Sequence, residues 1–229
     1  MNKPPEIAVN GARLVPDLSG ALFWPEKRTL IVADLHLEKG SSYARGRRAV
    51  LPPYDSAATL NRLEEVAGRL QPRTVVCLGD SFHDGEAAAR LDTAECARLR
   101  ALTDAYDWLW IAGNHDPAPS EDFGGRVEAE AVLGGLAFRH EALAEAEQAH
   151  GELSGHYHPK AAVRLRGRRI SARCFVGDGA RLMLPAFGTY TGGLNVLDPA
   201  IRSLFRGGFR VHLLGARGVY AYAGSALTG

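Results

Sequence analysis

Asp34 and His36, one residue apart, stand directly behind the run Thr29-Leu-Ile-Val-Ala, and both side chains can offer an electron pair to a divalent cation. The arrangement returns four times: residues 74–78 lead into Gly79-Asp80, 108–112 into Gly113-Asn114-His115-Asp116, 136–139 into His140, and 151–154 into Gly155-His156-Tyr157-His158. Five of the eight histidines lie in these endings, and His83 follows three residues after Asp80. A single His or Asp behind an apolar run is ordinarily a turn residue or a satisfied core group. The repetition is what argues for a metal site. Cys77, Cys96 and Cys174 are odd in number and lack C-x-x-C spacing, which argues against a disulfide framework and a thiolate zinc site and predicts reduced, mostly buried thiols.

The elements that must position these residues follow from the apolar pattern. Short runs rich in β-branched residues read as buried strands, and parallel sheets buried on both faces bind ligands beyond the carboxyl ends of their strands. Residues 55–70 and 87–103 carry apolar positions at helical spacing, the first with Asp55 as N-cap after Pro52-Pro53. Strand, helix, strand, helix, strand from Leu30 to Ala112 makes two right-handed crossovers, which bring Asp34, Asp80 and Asn114 to one edge of a sheet. Residues 6–24 read as two or three short edge strands. After Pro117, short strands at 126–131, 136–138, 161–165, 170–176, 181–184 and 194–197 predict a second sheet with mixed or antiparallel pairing, and 209–214 with 219–222 a closing hairpin. Residues 142–148 read as a short exposed helix.

Two segments are basic. Residues 37–53 read as a loop overhanging the first ligand pair, and its Lys39, Arg45, Arg47 and Arg48 either contact phosphate or form a solvated surface. Arg164-Leu-Arg-Gly-Arg-Arg reads as a hairpin tip whose arginines serve solubility or nucleic acid. At 229 residues the chain is expected to form one domain, 1–229, with a real core. A formal charge of +1 and a pI near 7.8 give no global basic field. No run approaches the roughly 18 apolar residues of a membrane span, and no signal-peptide core is present, so a cytoplasmic protein is expected.

The ordered set D-x-H, G-D, G-N-H-D, a single His and G-H-x-H, running from Asp34 to His158, resembles that of the calcineurin-like metallophosphoesterases. Asp34-Leu-His-Leu-Glu-Lys, Gly79-Asp-Ser-Phe-His and Leu184-Pro-Ala-Phe-Gly-Thr-Tyr-Thr-Gly-Gly-Leu are most similar to the bacterial ligase-associated DNA damage response endonucleases within it. The resemblance covers about residues 20–198. It implies an α/β sandwich of two mixed β-sheets flanked by helices, and a two-metal phosphodiesterase acting on DNA in repair, beside ligase, helicase and exonuclease partners. It also implies that Asp34, His36, Asp80 and His158 hold one ion and Asp80, Asn114, His140 and His156 the other, with Asp80 bridging and a water between the ions as nucleophile. Carboxylate, amide and imidazole donors suit Mn, with Fe or Zn as alternatives. His115 would protonate the leaving oxygen. Many family members have an Asp three residues after the bridging carboxylate to orient this imidazole; here His83, followed by Asp84, takes that place, which makes His83 a candidate substrate contact. Asp116 is expected to anchor its loop, Tyr157 to pack beneath the ligand histidines, and Phe187 or Tyr190 either to pack or to stack on a base. The alternatives are a hydrolase of small phosphodiesters or phosphomonoesters and a non-catalytic scaffold of the same fold.

Overall fold

The computed structural model describes residues 5–45, 54–118, 121–144, 149–205 and 207–229. Among them, seven strands form a first sheet in spatial order β1 (Ile7–Val9), β2 (Ala12–Pro16), β3 (Leu22–Trp24), β4 (Thr29–Val32), β5 (Thr74–Leu78), β6 (Asp107–Ile111) and β7 (Arg126–Glu128). The first four pair antiparallel and β4 to β7 pair parallel. The second sheet contains β8 (Ala131–Leu133), β9 (Leu136–Phe138), β10 (Gly151–Ser154), β11 (Lys160–Leu165), β12 (Arg168–Gly177), β13 (Arg181–Met183), β14 (Arg210–Leu214) and β15 (Val219–Ala223). There β9, β10 and β13 run parallel and the other pairs antiparallel.

The alternation of side chains along a strand accounts for the layers. Ile31, Val76, Leu109 and Ile111 face the second sheet, where they meet Leu136, Phe138, Leu153, Phe175 and Leu182. Their neighbours Leu30, Val32, Val75, Cys77 and Trp110 face outward onto helices α2 (Asp55–Leu70) and α3 (Thr93–Ala105) through Leu60, Leu63, Val66, Leu99 and Leu102. Each such Leu or Val contributes roughly 1.5–3 kcal/mol by leaving water, so strands of this sheet are apolar on both faces. A third core, with Val163, Cys174, Val176, Met183 and Val211, lies against the short helix α4 (Pro199–Arg202) and Phe205. The arrangement is the α/β sandwich of two mixed sheets with flanking helices that the sequence predicts. Among the described residues no helix is long and apolar enough to cross a membrane.

Several expectations are corrected. The segment after His36 forms helix α1 (Lys39–Arg45) rather than a loop, held by Gly40 N–H donating to Asp55 Oδ2 at 2.9 Å. Asp55 is thereby a buried acceptor within its helix, and Tyr54 occupies the N-cap position. The second crossover helix begins at Thr93, because Asp92 and Glu95 form a reciprocal capping box, a D-x-x-E signal present in the sequence. Residues 194–197 make one bridge, Asn195 to Lys160, and a turn instead of a strand. In 142–148 the described part, 142–144, is not helical, and Ala142 is buried. Arg47 and Arg48 lie outside the described residues. The 164–169 hairpin forms as expected, with Arg166 and Gly167 at positive φ in its turn.

Candidate metal centre

All five chain segments singled out by their ligand-bearing ends converge at one edge of the sandwich. The parallel register places Val32 opposite Cys77 and Cys77 opposite Trp110, so the loops after β4, β5 and β6 leave the first sheet side by side. Those after β9 and β10 leave the second sheet next to them. Backbone bonds sew the loops together: Asp34 N–H donates to Gly79 O, His36 N–H to Asp80 O and Gly155 N–H to His140 O. The residues carrying the chemistry bend sharply. Asp34, His36, Asp80, His156 and His158 all have φ between 44° and 70°, a left-handed backbone that non-glycine residues rarely adopt. Crowding explains Gly113, since a Cβ there would fall on the backbone nitrogen of Asp80.

Two clusters of the expected ligands result, beside a third group of His36, His83 and His115. In the first, His36 Nε2 lies 3.2 Å from His158 Nε2, and His158 Nε2 lies 3.4 Å from Asp34 Oδ1. In the second, His140 Nε2 lies 2.8 Å from Asn114 Oδ1, 3.1 Å from His156 Nδ1 and 3.4 Å from Asp80 Oδ1. His140 Nδ1–H donates to Leu78 O at 3.0 Å, which turns Nε2 toward the cluster as the nitrogen that would give up its proton to bind a cation. A lone pair from imidazole, amide oxygen and carboxylate thus points at one spot. Such donors repel one another unless a cation lies between them, so the residues present fit a divalent ion in each cluster. Asp80 faces both, with Oδ1 toward His140 and Oδ2 3.8 Å from His36 Nε2.

The protein's own charges polarise the site. Burial, then the facing His158 and Lys39, lowers the His36 pKa to about 2. Burial also opposes charge on His140, but the Asp80 and Asp34 carboxylates outweigh it and raise its pKa to about 9. Burial raises Asp116 to about 7. Asp116 Oδ2 accepts from the N–H groups of Ser81 and Phe82 at 2.8 and 3.0 Å, so it anchors the β5 loop to the β6 loop.

His115 is exposed and its N–H donates to Asp80 Oδ1 at 2.9 Å. Its ring nitrogen Nδ1 lies 2.8 Å from His83 O, and its ring stacks on that of His83 at 5.0 Å and 22°. At this position the backbone carbonyl of His83, rather than an acidic side chain, orients His115. The His83 ring meets His36, Nδ1 to Nδ1 at 3.3 Å, and its pKa is lowered to about 4 by burial and then by Lys39 and His115. Tyr157 sits edge-on to His156 at 4.8 Å and its hydroxyl donates to Glu141, an acid the sequence reading passed over. Phe187 is fully buried in the helix-side core, with Arg62 over its ring. The stretch around it nevertheless serves the site, because Phe187 and Gly188 donate N–H bonds to Ala33 O and Asp34 O. Backbone contacts of that kind have no side-chain signal to betray them.

A family model described as calcineurin-like phosphoesterase matches residues 27–167. The chain is similar to the crystal structure of the Pseudomonas putida nuclease MPE at 30% identity and TM-score 0.73, covering 95% of this chain and 99% of that one. It also matches the E. coli phosphoesterase Yfce at 15% identity and TM-score 0.42, covering 85% of this chain and 98% of that one. A Streptococcus pneumoniae protein described as a predicted phosphoesterase matches at 15% identity and TM-score 0.33, covering 85% and 96%. No curated protein sequence matches significantly.

Proposed function

The chain belongs to the calcineurin-like phosphoesterase family and is a metal-dependent phosphoric ester hydrolase, and from that premise we propose that it is a two-metal phosphodiesterase that cuts DNA, folded as one domain. The observation that carries this is the position of Asp80, whose two oxygens face two separate clusters of donors. Asp34, His36, Asp80 and His158 would hold one ion, and Asp80, Asn114, His140 and His156 the other, with Mn favoured by the mixed oxygen and imidazole set. Two such ions, when bound, supply Lewis-acid neutralisation of the phosphate oxygens and activate water for in-line attack. The nuclease assignment is supported by the 30% identity to a Pseudomonas putida protein described as a nuclease.

The rest of the step belongs to His115. As the P–O bond to the leaving group breaks, the leaving oxygen gains charge that a proton must quench. With Nδ1 engaged by His83 O, the proton comes from Nε2, so the competent acid is the doubly protonated ring. After transfer the ring keeps its Nδ1 proton on His83 O and does not rotate.

The test compares turnover of a synthetic diester and monoester with and without Mn, followed by plasmid nicking. Diester turnover dependent on Mn, with nicking, is expected. Preference for the monoester, or diester turnover without nicking, would favour the small-substrate hydrolase.

A further inference from the structure

On one flank of the candidate metal centre stand side chains that neither ligand set uses. Lys39 and Tyr43 of α1 lie there beside His83: the Tyr43 ring is 5.9 Å from that of His83, and the Lys39 ammonium is 5.9 Å from the Tyr43 centroid. His83 in turn is 5.3 Å from His36 and 5.0 Å from His115, ring to ring, so the flank adjoins both a candidate ligand and the candidate acid. Among the described residues, Arg45 and Arg90 of this neighbourhood are matched. Arg45 meets Glu86 at 2.9 Å, and Arg90 makes two bonds of 2.8 Å to Asp84. Lys39 is half-buried, yet among the described residues it forms neither an ion pair nor a hydrogen bond.

Burial pulls the Lys39 pKa down, and the carboxylates whose fields pull it back up are Asp34, Asp80 and Asp55. None of these is free to serve it. Asp34 and Asp80 belong to the ligand set, and Asp55 is committed to Gly40 N–H. A half-buried ammonium with no carboxylate in contact with it is unfavourable unless an anion comes to it. An isolated phosphodiester does not meet that need, because its single charge lies on the metal-binding residues. A nucleic-acid strand brings more charge, in the phosphates on either side of the one being cut.

We propose that Lys39, with Tyr43 and His83 beside it, binds the substrate phosphate adjacent to the scissile one, so that the site is built for a polynucleotide rather than a lone diester. This rests on the nuclease reading. Binding energy taken from a phosphate that does not react would hold the scissile group in line beneath His115.

The test is titration calorimetry with dithymidine joined by a hydrolysis-resistant methylenephosphonate, with and without a terminal phosphate at either end. In the wild type, one terminal phosphate tightens binding about tenfold, as expected for one charge-assisted contact. Lys39→Met and Lys39→Gln abolish that gain and lower the log-log salt slope of binding by about one, and Lys39→Arg keeps both. No gain in the wild type, or a gain that survives in both neutral variants, overturns the proposal. Plasmid nicking by the wild type is read alongside. Nicking without the terminal-phosphate gain removes the Lys39 subsite and leaves the nuclease reading intact. The gain without nicking sinks the nuclease reading and leaves Lys39 as the site of a second phosphoryl group in a smaller substrate.

Discussion

His115 presents one nitrogen to the cleft because the other is held by the His83 carbonyl. Its loss is therefore expected to remove the proposed proton donor while sparing the seven candidate ligands, Asp34, His36, Asp80, Asn114, His140, His156 and His158. His115→Ala should keep its metal and lose turnover by roughly 10² to 10⁴ on a poor leaving group. With p-nitrophenolate, which departs without a proton, the loss should be much smaller; equal losses on both would take the acid role away from His115. Asp80 is the residue proposed to join the two clusters, since each of its oxygens faces one of them. Asp80→Asn should lower the metal content from close to two ions to one and abolish turnover, as read by elemental analysis and diester hydrolysis. Two ions with full turnover in the variant would refute the shared role.

At the scale of elements, the loops after β5 and β6 are locked by Asp116, which accepts from two buried amides. Asp116→Ala leaves both N–H groups without a partner and should cost roughly 2–4 kcal/mol in urea unfolding. Strand β14 carries a second polar liability. His212 faces away from Val211 and Leu213, its Nδ1 has no partner, and burial followed by Arg210 lowers its pKa from 6.5 to about 4. Below pH 6.5 the unfolded imidazole takes up a proton that the folded one refuses until about pH 4. Stability should therefore fall as pH drops through that window, by roughly 2 kcal/mol at pH 5 relative to pH 7. His212→Leu should remove that part of the acid sensitivity; identical pH dependence in the variant would show that the proton is accommodated. The elements themselves were largely legible, because a strand buried on both faces is apolar throughout. The start of α3 is obscured in the apolar pattern, since apolar spacing continues through the turn at Ala88–Arg90 while the capping box at Asp92 sets the boundary.

For the whole molecule, the proposed nuclease role requires a chain of net charge +1 to meet a polyanion through local patches. The hairpin of β11 and β12 begins just after His158 and carries exposed Arg164, Arg166, Arg168 and Arg169 at its tip. At about 3.3 Å per residue the tip stands roughly 17 Å from the base of β11. If it tracks a phosphate backbone, neutralising the four arginines should lower the log-log salt slope of DNA binding by up to about one for each contact. An unchanged slope and unchanged nicking would mark it as a solvated edge that discourages sheet-to-sheet association.

The sequence by itself determined the five ligand-bearing endings and the convergence of three of them. Asp34, Asp80 and Asn114 follow parallel strands that right-handed crossovers bring to one edge, whatever the side chains do next, whereas the packing of the second sheet on the first is what adds His140, His156 and His158. It also determined Asp116 as an anchor and the thiols as unpaired, since Cys77, Cys96 and Cys174 are free and two of them are buried. Only the tertiary structure decided what holds His115, because a backbone carbonyl is the same atom in every residue and His83 advertises only its ring. The same reason hid the bracing of Ala33 and Asp34 by Phe187 and Gly188. Pairing was equally illegible: Lys39 and Arg45 look alike in a basic stretch, and only the distance of Arg45 to Glu86 separates a satisfied cation from one left facing the site.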